Sequence, residues 1–465
     1  MAVTRMTSDR VFVWAWLPGS TEPTVAGAVD RRGDLLSFVY GRTYLDRSDA
    51  LSLAPDLPLV RGTQMPESGL EVASSLRDAS PDAWGRQVID FYRAGLLASK
   101  DDVGLADERV YMLNSDSNRF GAIDFQRSAT EYVPRGASAT LDDLASATGF
   151  VDEGRDVPES LQRALGHGTT MGGARPKATV TDGDVQYIAK FSRASDPYDV
   201  VGAEAAAMFM AQQAGVKVAS TKVVRAAGKK VLLVERFDRT TDGRRRFAVS
   251  GLTLMGLSEM NARYATYPGL LRRLRDGLAP GDSAPDRELF RRIAFNIAVS
   301  NSDDHLRNHA AFWDGGHLQL TPAYDISPMP RSGETSTQAL GITDKHAERD
   351  SSFALLIESS HHYGLSARAG REIVFEVVEA IHETWGEACA HGEISQLEAR
   401  RMWGSQILNP RAMFGLDRAS LLPGSGERSR SRAAATKSVP AGLCRRETRS
   451  GRPCQNPAGS CPHHS

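Results

Sequence analysis

The chain has little cysteine, no long apolar run and no excess of either charge. Only four of its 465 residues are cysteine, and three of these lie from Cys444 onward. So few thiols exclude a disulfide framework for the body of the chain and are typical of a reducing cytoplasm. No apolar run approaches the ~20 residues of a membrane helix, and Arg5, Asp9 and Arg10 interrupt any secretory leader. The net charge of −1 at pH 7 gives no general attraction to nucleic acid or anionic membranes, so we predict a cytoplasmic protein with no membrane partner.

Length and composition predict several globular units. With 465 residues, 41% of them hydrophobic, the chain can build two or three full cores. Short apolar runs broken by Gly, Pro and Asp predict a β-rich subdomain over residues 1–105. Strands dominate the predicted region 106–245, and helices dominate 246–422. A linker rich in Ser, Arg, Ala and Gly follows at 423–442, and a Cys-containing tail at 443–465.

The most informative motif is Asn301–Asn308, with Asp325 downstream in a Pro-Ala-Tyr-Asp segment. This segment contains an acid, an amide five residues later and a second acid farther on. Phosphotransferases use residues in this order to bind the acceptor hydroxyl and the metal ion. The spacing selects Asp303 as the catalytic base, because Asp304 is only four residues from Asn308. Asn308 and Asp325 supply the hard oxygen ligands that suit Mg²⁺ beside nucleotide phosphates. A polar turn without catalytic function is the alternative.

Upstream, a glycine-rich segment at 172–177 precedes a predicted strand, Val185–Phe191, that carries Lys190. Small residues let backbone amides approach phosphates, and a lysine beside them adds positive charge. A lysine on the strand after a glycine loop reaches the α- and β-phosphates in kinase folds. The following helix carries Glu204, which is either a partner of Lys190 or a solvated glutamate.

The apolar run Val231–Arg239 predicts a buried strand that leads into a hinge between two lobes. The backbone of such a hinge contacts adenine, so the side chains near it need not do so. The predicted nucleotide-binding set comprises Gly172, Gly173, Ala174, Lys177, Lys190, Glu235, Phe237 and Arg307.

In their order and combination, these motifs resemble the HipA-type serine/threonine kinases, the toxin half of a bacterial toxin–antitoxin module. The resemblance covers roughly residues 10–415. Its matching segments are Thr170–Lys177, Ala189–Phe191, Val234–Arg239, Asn301–Asn308, Ala323–Pro328, Leu76–Arg86 and Phe120–Phe125. The metal motif reads Ala-Tyr-Asp rather than Asp-Phe-Gly, which argues against an ordinary eukaryotic-type kinase.

The resemblance implies an α+β, protein-kinase-like bilobal fold, with an extra N-terminal subdomain, an ATP-binding N-lobe at 106–245 and a helical C-lobe at 246–422. It also implies ATP and Mg²⁺ as cofactors, and a HipB-like DNA-binding antitoxin through which the chain would meet DNA. The implied substrate is a translation component such as an aminoacyl-tRNA synthetase. The family autophosphorylates a loop serine; the matching hydroxyl here belongs to Thr170, with Thr169 beside it. The β-branch of Thr stiffens χ1, so self-inactivation can differ from that of the family.

The tail carries a second candidate site. Cys444, Cys454, Cys461 and His463 offer three thiolates and an imidazole, a set that satisfies tetrahedral zinc. From residue 425 onward, eight Lys and Arg face two Glu, which suits contact with a phosphate backbone. A solvated basic tail with free thiols is the alternative for both features.

Two other functions fit parts of the pattern. A small-molecule phosphotransferase of the aminoglycoside or lipid-kinase type shares the acid-to-Asn spacing, but the glycine loop and the Leu76–Arg86 turn argue against it. A catalytically silent corepressor would bind an antitoxin and operator DNA without chemistry. The joint presence of Lys190, Asp303, Asn308 and Asp325 disfavours that reading.

Overall fold

Three antiparallel sheets and the helices around them make up the described part of the chain. The computed structural model describes residues 10–96, 107–136, 139–153, 155, 157, 158, 161, 175–193, 195–331, 336–414 and 416. The mixed α and β composition that the sequence predicts is confirmed there. None of the helices in these ranges is long and apolar enough to cross a bilayer.

The first sheet has five strands in the order β4-β3-β2-β1-β5. Its strands are β1 (Arg10–Ala15), β2 (Thr24–Arg32), β3 (Leu35–Tyr40), β4 (Thr63–Gln64) and β5 (Ile123–Gln126). Val11, Val13 and Ala15 are fully buried because alternate residues of a strand share one face. Four helices accompany this sheet: α1 (Arg42–Leu45), α2 (Ser74–Asp78), α3 (Ala83–Leu96) and α4 (Glu108–Asn114).

The second sheet has four strands in the order β6-β7-β9-β8. Its elements are α5 (Leu141–Asp152), β6 (Lys177–Asp182), β7 (Val185–Phe191), α6 (Val200–Gln213), β8 (Thr221–Ala226) and β9 (Lys229–Glu235). Gly183 and Gly228 take positive φ in the two hairpin turns, where glycine avoids Cβ strain. Ala178 and Ala189 belong to the same hydrophobic cluster as Trp84 of α3 and Leu144 of α5.

The remaining residues are mainly helical around a small third sheet, β10-β11-β12. The elements are β10 (Ala248–Ser250), α7 (Gly251–Leu254), α8 (Tyr267–Asp276), α9 (Asp286–Ala298), β11 (Ala310–Trp313), β12 (Leu318–Leu320), α10 (Phe353–Glu358), α11 (Ala367–His391) and α12 (Gln396–Met402). In α9, Leu289, Phe290 and Ile293 are fully buried at helical spacing. This spacing places one apolar face in the core and delivers the chain after Ala298 into the loop of the predicted catalytic motif.

A buried charge cluster joins the end of β9 to the loop before β5. Asp238 accepts hydrogen bonds from Arg236 at 2.8 Å, Arg239 at 3.1 Å and the backbone N–H of Gly121 at 2.8 Å. Both guanidinium groups also donate to the carbonyl of Arg119. Although burial works against its charge, the two arginines outweigh it and hold the pKa of Asp238 well below the ordinary carboxyl value. Asp238 therefore compensates two buried cations at once.

Asp238→Asn tests this cluster. The change keeps the shape but leaves two buried guanidinium groups without a counter-charge, and breaking a buried pair costs about 3–5 kcal/mol. Urea unfolding monitored by circular dichroism should show that loss as a lower midpoint. Asp242→Asn, at an exposed carboxylate of the next turn, should stay within about 0.5 kcal/mol of the wild type. Equal midpoints for both variants would contradict the assigned role.

Candidate active site

Two lysines stand side by side on adjacent strands. Lys177 in β6 and Lys190 in β7 are register partners, so both side chains project from the same face of the sheet. The Lys190 ammonium donates to Glu204 of α6 at 2.5 Å and to Asp325. The structure thus selects ion pairing, rather than solvation, for Glu204. The Lys190 ammonium thus connects β7 to α6 and to the segment that carries Asp325.

The charges of this cluster support one another. Burial works against the Lys190 ammonium, but Asp325 and Glu204 outweigh it and raise the pKa of Lys190 above its ordinary value. Burial likewise opposes the Asp325 carboxylate, and Lys190 and Lys177 hold its pKa below the ordinary value. Both groups are therefore charged at neutral pH.

The loop after α9 separates its two neighbouring acids. Asp303 is exposed, and its backbone carbonyl accepts a hydrogen bond from the Asn308 side chain at 3.0 Å. Asp304 is buried and accepts from Tyr267 at 2.8 Å, from Asn296 at 2.8 Å and from His309 at 3.1 Å. The exposed acid can reach a substrate, whereas the buried acid holds the loop in place.

The two acids also differ electrostatically. Partial burial raises the pKa of Asp303, His305 opposes the rise, and Asp325 and Asp304 add to it. For Asp304, His309 and the donated hydrogen bonds overcome burial and keep the pKa below the ordinary carboxyl value. A raised pKa favours proton acceptance by Asp303, because a stronger base binds the proton of a hydroxyl more readily.

Asp325 occupies a conformation that non-glycine residues seldom adopt. Its φ is +60°, in the left-handed region. Two residues earlier, the backbone of Ala323 bonds the carbonyl of Lys217 at 2.7 Å and the N–H of Ala219 at 2.9 Å, just beyond α6. Tyr324 donates to the carbonyl of Arg307 at 2.7 Å. These contacts hold Asp325 between α6 and the catalytic loop, and such strain is typical of functional sites.

The donor set fits Mg²⁺ with a nucleotide. Asn308 uses its Nδ2 atom for the bond to Asp303, which leaves its Oδ1 atom available as a ligand. Asp325 adds carboxylate oxygen. The described residues contain no group of three or more His, Cys, Asp or Glu side chains that could bind a metal ion. An ion that takes one or two protein oxygens and completes its shell with phosphates suits this arrangement.

Other predicted residues have different surroundings. Arg307 donates to Asp78 at 3.2 Å and to Glu259 at 2.8 Å. The ring of Phe237 packs against Phe312 and Tyr324, with centroids 5.7 and 5.4 Å away. Glu235 ends β9, where its backbone N–H bonds the carbonyl of Ser220 at 2.8 Å.

Several predicted residues lie outside the described residues, so the structure says nothing about them. They are the loop residues Thr169, Thr170, Gly172, Gly173 and Ala174, and the tail residues Cys444, Cys454, Cys461 and His463. For these residues the nucleotide, phosphorylation and zinc assignments stay predictions.

Sequence reasoning missed Asp78. Its carboxylate accepts from the Ser250 backbone, the Ser250 hydroxyl and the Thr253 hydroxyl, each at 2.7 Å, as well as from Arg307. Asp78 therefore connects the N-terminal region to the start of α7 and to the catalytic loop. Its place within the Leu76–Arg86 segment was the available signal, but nothing in that segment indicates its partners.

Both the sequence and the fold are similar to those of known proteins. Residues 169–385 match a family model described as the HipA-like C-terminal domain. A solved Shewanella oneidensis MR-1 HipA, in complex with HipB and its operator DNA, is 18% identical with a TM-score of 0.60. That match covers 84% of this chain and 95% of the other, and it shows a shared fold. A Helicobacter pylori proinflammatory kinase, CtkA, is 13% identical over 52% of this chain and 92% of its own. Its TM-score is 0.39, which is too low to support an argument.

Substitution of each acid separately tests the division of roles in the loop. Asp304→Asn places an NH₂ donor among buried donors, so some of them lose their acceptor. The free energy of unfolding should fall by about 1–3 kcal/mol for each group left unsatisfied. Asp303→Asn, at an exposed position, should change the free energy of unfolding by no more than about 0.5 kcal/mol. Guanidinium unfolding curves of both variants give the comparison. An Asp303 variant as destabilised as the Asp304 variant would refute the assignment.

Proposed function

We propose that this chain is an ATP- and Mg²⁺-dependent serine/threonine protein kinase, the toxin of a bacterial toxin–antitoxin module. The match of residues 169–385 to the HipA-like C-terminal domain and the fold shared with a solved HipA support this proposal. One observation carries the proposal: Lys190 is bound by Glu204 and by Asp325. That arrangement brings a strand lysine paired with a helix glutamate close to the metal-motif acid, and these are the groups that contact the phosphates and Mg²⁺ in protein kinases. The exposed Asp303 lies near enough for the charge of Asp325 to raise its pKa.

Each group has a definite task in this proposal. Asp303 accepts the proton of the acceptor hydroxyl as the phosphoryl group is transferred. Lys190 and Lys177 place positive charge beside the phosphates, and Glu204 holds Lys190 in position. Asn308 and Asp325 would bind Mg²⁺, which supplies charge neutralisation at the phosphate oxygens when it is bound. The catalytic contribution is mainly positioning and electrostatics.

The fold supports a bilobal arrangement. The four-stranded sheet with α6 would form the N-lobe and the helices from α7 onward the C-lobe, with the segment after β9 as the hinge. The loop at 172–174 would cover the phosphates. In this assignment Phe237, which packs between Phe312 and Tyr324, would shape the inner wall of the nucleotide site.

The family also suggests partners. The solved HipA is in complex with HipB and operator DNA, and we extend this to a HipB-like antitoxin that would bring the present chain to DNA. The proposed protein substrate is a translation component such as an aminoacyl-tRNA synthetase, and the proposed location is the cytoplasm. For the tail we retain the proposal of a structural zinc site.

Two substitutions test the chemistry. Asp303→Asn should lower phosphoryl transfer from radiolabelled ATP by roughly 10²- to 10⁴-fold, because it removes the base. Asp325→Asn should weaken Mg²⁺-dependent nucleotide binding by at least about tenfold, since the loss of even an outer-shell partner has that effect on metal sites. Asp282→Asn, at an exposed carboxylate between α8 and α9, is the control and should behave as the wild type.

The acceptor separates the alternatives in that assay. Label in proteins of a lysate supports the kinase, whereas label in small molecules alone would identify a small-molecule phosphotransferase. A wild type that transfers no phosphate but binds an antitoxin would be a silent corepressor. Full activity of Asp303→Asn would refute the proposed base.

Thr170 is the proposed regulatory acceptor, with Thr169 as the alternative. A phosphate adds about −1.5 to −2 charge at pH 7, within a loop that would otherwise meet the phosphates of ATP, so phosphorylation and nucleotide binding should exclude each other. Mass spectrometry after incubation with ATP should find phosphate on one of these residues, and nucleotide affinity should fall as it accumulates. An active enzyme that never becomes modified there would contradict self-inactivation.

A further inference from the structure

Asp82 lies in a turn that is fixed on both sides. Four residues before it, Asp78 accepts a hydrogen bond from Arg307 of the catalytic loop at 3.2 Å. Two residues after it, Trp84 is 1% exposed and belongs to the hydrophobic cluster that includes Ala178 of β6. The turn is therefore held between the catalytic loop and the beginning of β6, where Lys177 stands.

The backbone of this turn is also braced. The carbonyl of Pro81 accepts from Arg77 at 3.4 Å and from Arg86 at 3.0 Å, and both arginines form ion pairs with the buried Glu108. The N–H of Arg86 bonds the carbonyl of Asp82 at 2.8 Å. The backbone that carries the Asp82 side chain is therefore held in place before any ligand binds.

The Asp82 carboxylate is left without the partners that its surroundings call for. Its Oδ1 atom is buried and accepts no hydrogen bond from any residue that the structure describes, although buried polar atoms in native proteins nearly always have partners. Burial raises the pKa of Asp82 to about 7, and Lys177 and Arg307 are the cations that oppose the rise. Arg307 is already paired with Asp78 and Glu259, so Lys177 is the cation that remains.

The Lys177 ammonium also has no ion-pair partner among the described residues. The residue is 5% exposed, yet Lys190 beside it takes the ion pairs with both Glu204 and Asp325. Burial and the neighbouring Lys190 ammonium lower the pKa of Lys177, while Asp325 and Asp82 oppose the fall. The Asp82 carboxyl and the Lys177 amine, neither of which has an ion-pair partner among the described residues, thus lie near enough for the charge of each to shift the pKa of the other.

We propose that Asp82 is a positioning residue of the phosphate site. When a nucleotide binds, its carboxylate pairs with the Lys177 ammonium and directs that ammonium at the phosphates. The inference rests on the proposed kinase function and adds a contribution from the N-terminal region to the nucleotide site. An unsatisfied buried carboxylate costs stability, and such a cost is commonly retained where a ligand later compensates it. Asp82 would keep Lys177 charged and oriented beside Lys190.

The test is a double-mutant cycle on nucleotide affinity. Calorimetric titration of the full chain with adenylyl-imidodiphosphate and Mg²⁺ should show affinity weakened about tenfold in Asp82→Asn. Lys177→Met should also weaken binding, and Asp82→Asn should add little in the Lys177→Met background. The thermal midpoint of Asp82→Asn without nucleotide should equal or exceed that of the wild type, because a buried charge without a partner has been removed.

Asp56→Asn is the matched control. The Oδ1 atom of Asp56 is also buried with no hydrogen-bond partner among the described residues, but its other oxygen accepts from the backbone N–H of Ser75 at 3.1 Å. This variant should bind the nucleotide as the wild type does. Asp82→Ser serves as a second variant if Asp82→Asn does not fold.

The outcomes are distinguishable. Unchanged affinity in the Asp82 variants, or effects of Asp82 and Lys177 that simply add, would overturn the inference and leave the kinase assignment intact. The titration is repeated without Mg²⁺. If Asp82→Asn weakens nucleotide binding only when Mg²⁺ is present, Asp82 is a metal ligand and the inference is overturned. A wild type that binds no nucleotide at all would refute the proposed kinase function and this inference with it.

Discussion

The buried ammonium of Lys190 is the point on which the arrangement of the site depends. It lies on a central strand, donates to the helix through Glu204 and donates to the metal-motif segment through Asp325. A buried charge without partners would be very costly. The strand with Lys190, the helix with Glu204 and the segment with Asp325 therefore stabilise one another in this arrangement. The geometry of the cluster also depends on the packing of the sheet against α6.

A second set of buried carboxylates ties the N-terminal region to this centre. Asp238 neutralises two arginines beside the loop before β5, and Asp78 joins α2 to Ser250, Thr253 and Arg307. Buried acids with several donors hold segments rigidly, because the loss of any one partner leaves another unsatisfied. Through these contacts the N-terminal sheet supports the catalytic loop, and Asp82 lies on the same support.

The neighbouring acids of the catalytic loop show how far sequence reasoning extends. The five-residue interval to Asn308 selects Asp303, and the structure exposes that residue while it buries Asp304 among Tyr267, Asn296 and His309. The interval alone could not reveal the function of Asp304. Its donors Tyr267 and Asn296 lie in α8 and α9, and His309 immediately precedes β11. No local sequence pattern brings these three residues together.

The sequence by itself determined the chemistry available and the local periodicities. Alternation places Lys190 on one face of a strand, helical spacing buries one side of α9, and motif order selects Asp303, Asn308 and Asp325. Only the tertiary structure decided which charges meet. Lys190 and Asp325 are 135 residues apart, and Arg307 and Asp78 are 229 residues apart. Periodicity acts over a few residues, whereas burial makes pairing obligatory between distant ones. For the same reason, the sequence could not decide whether Glu204 pairs with Lys190 or stays solvated; the structure pairs the two at 2.5 Å.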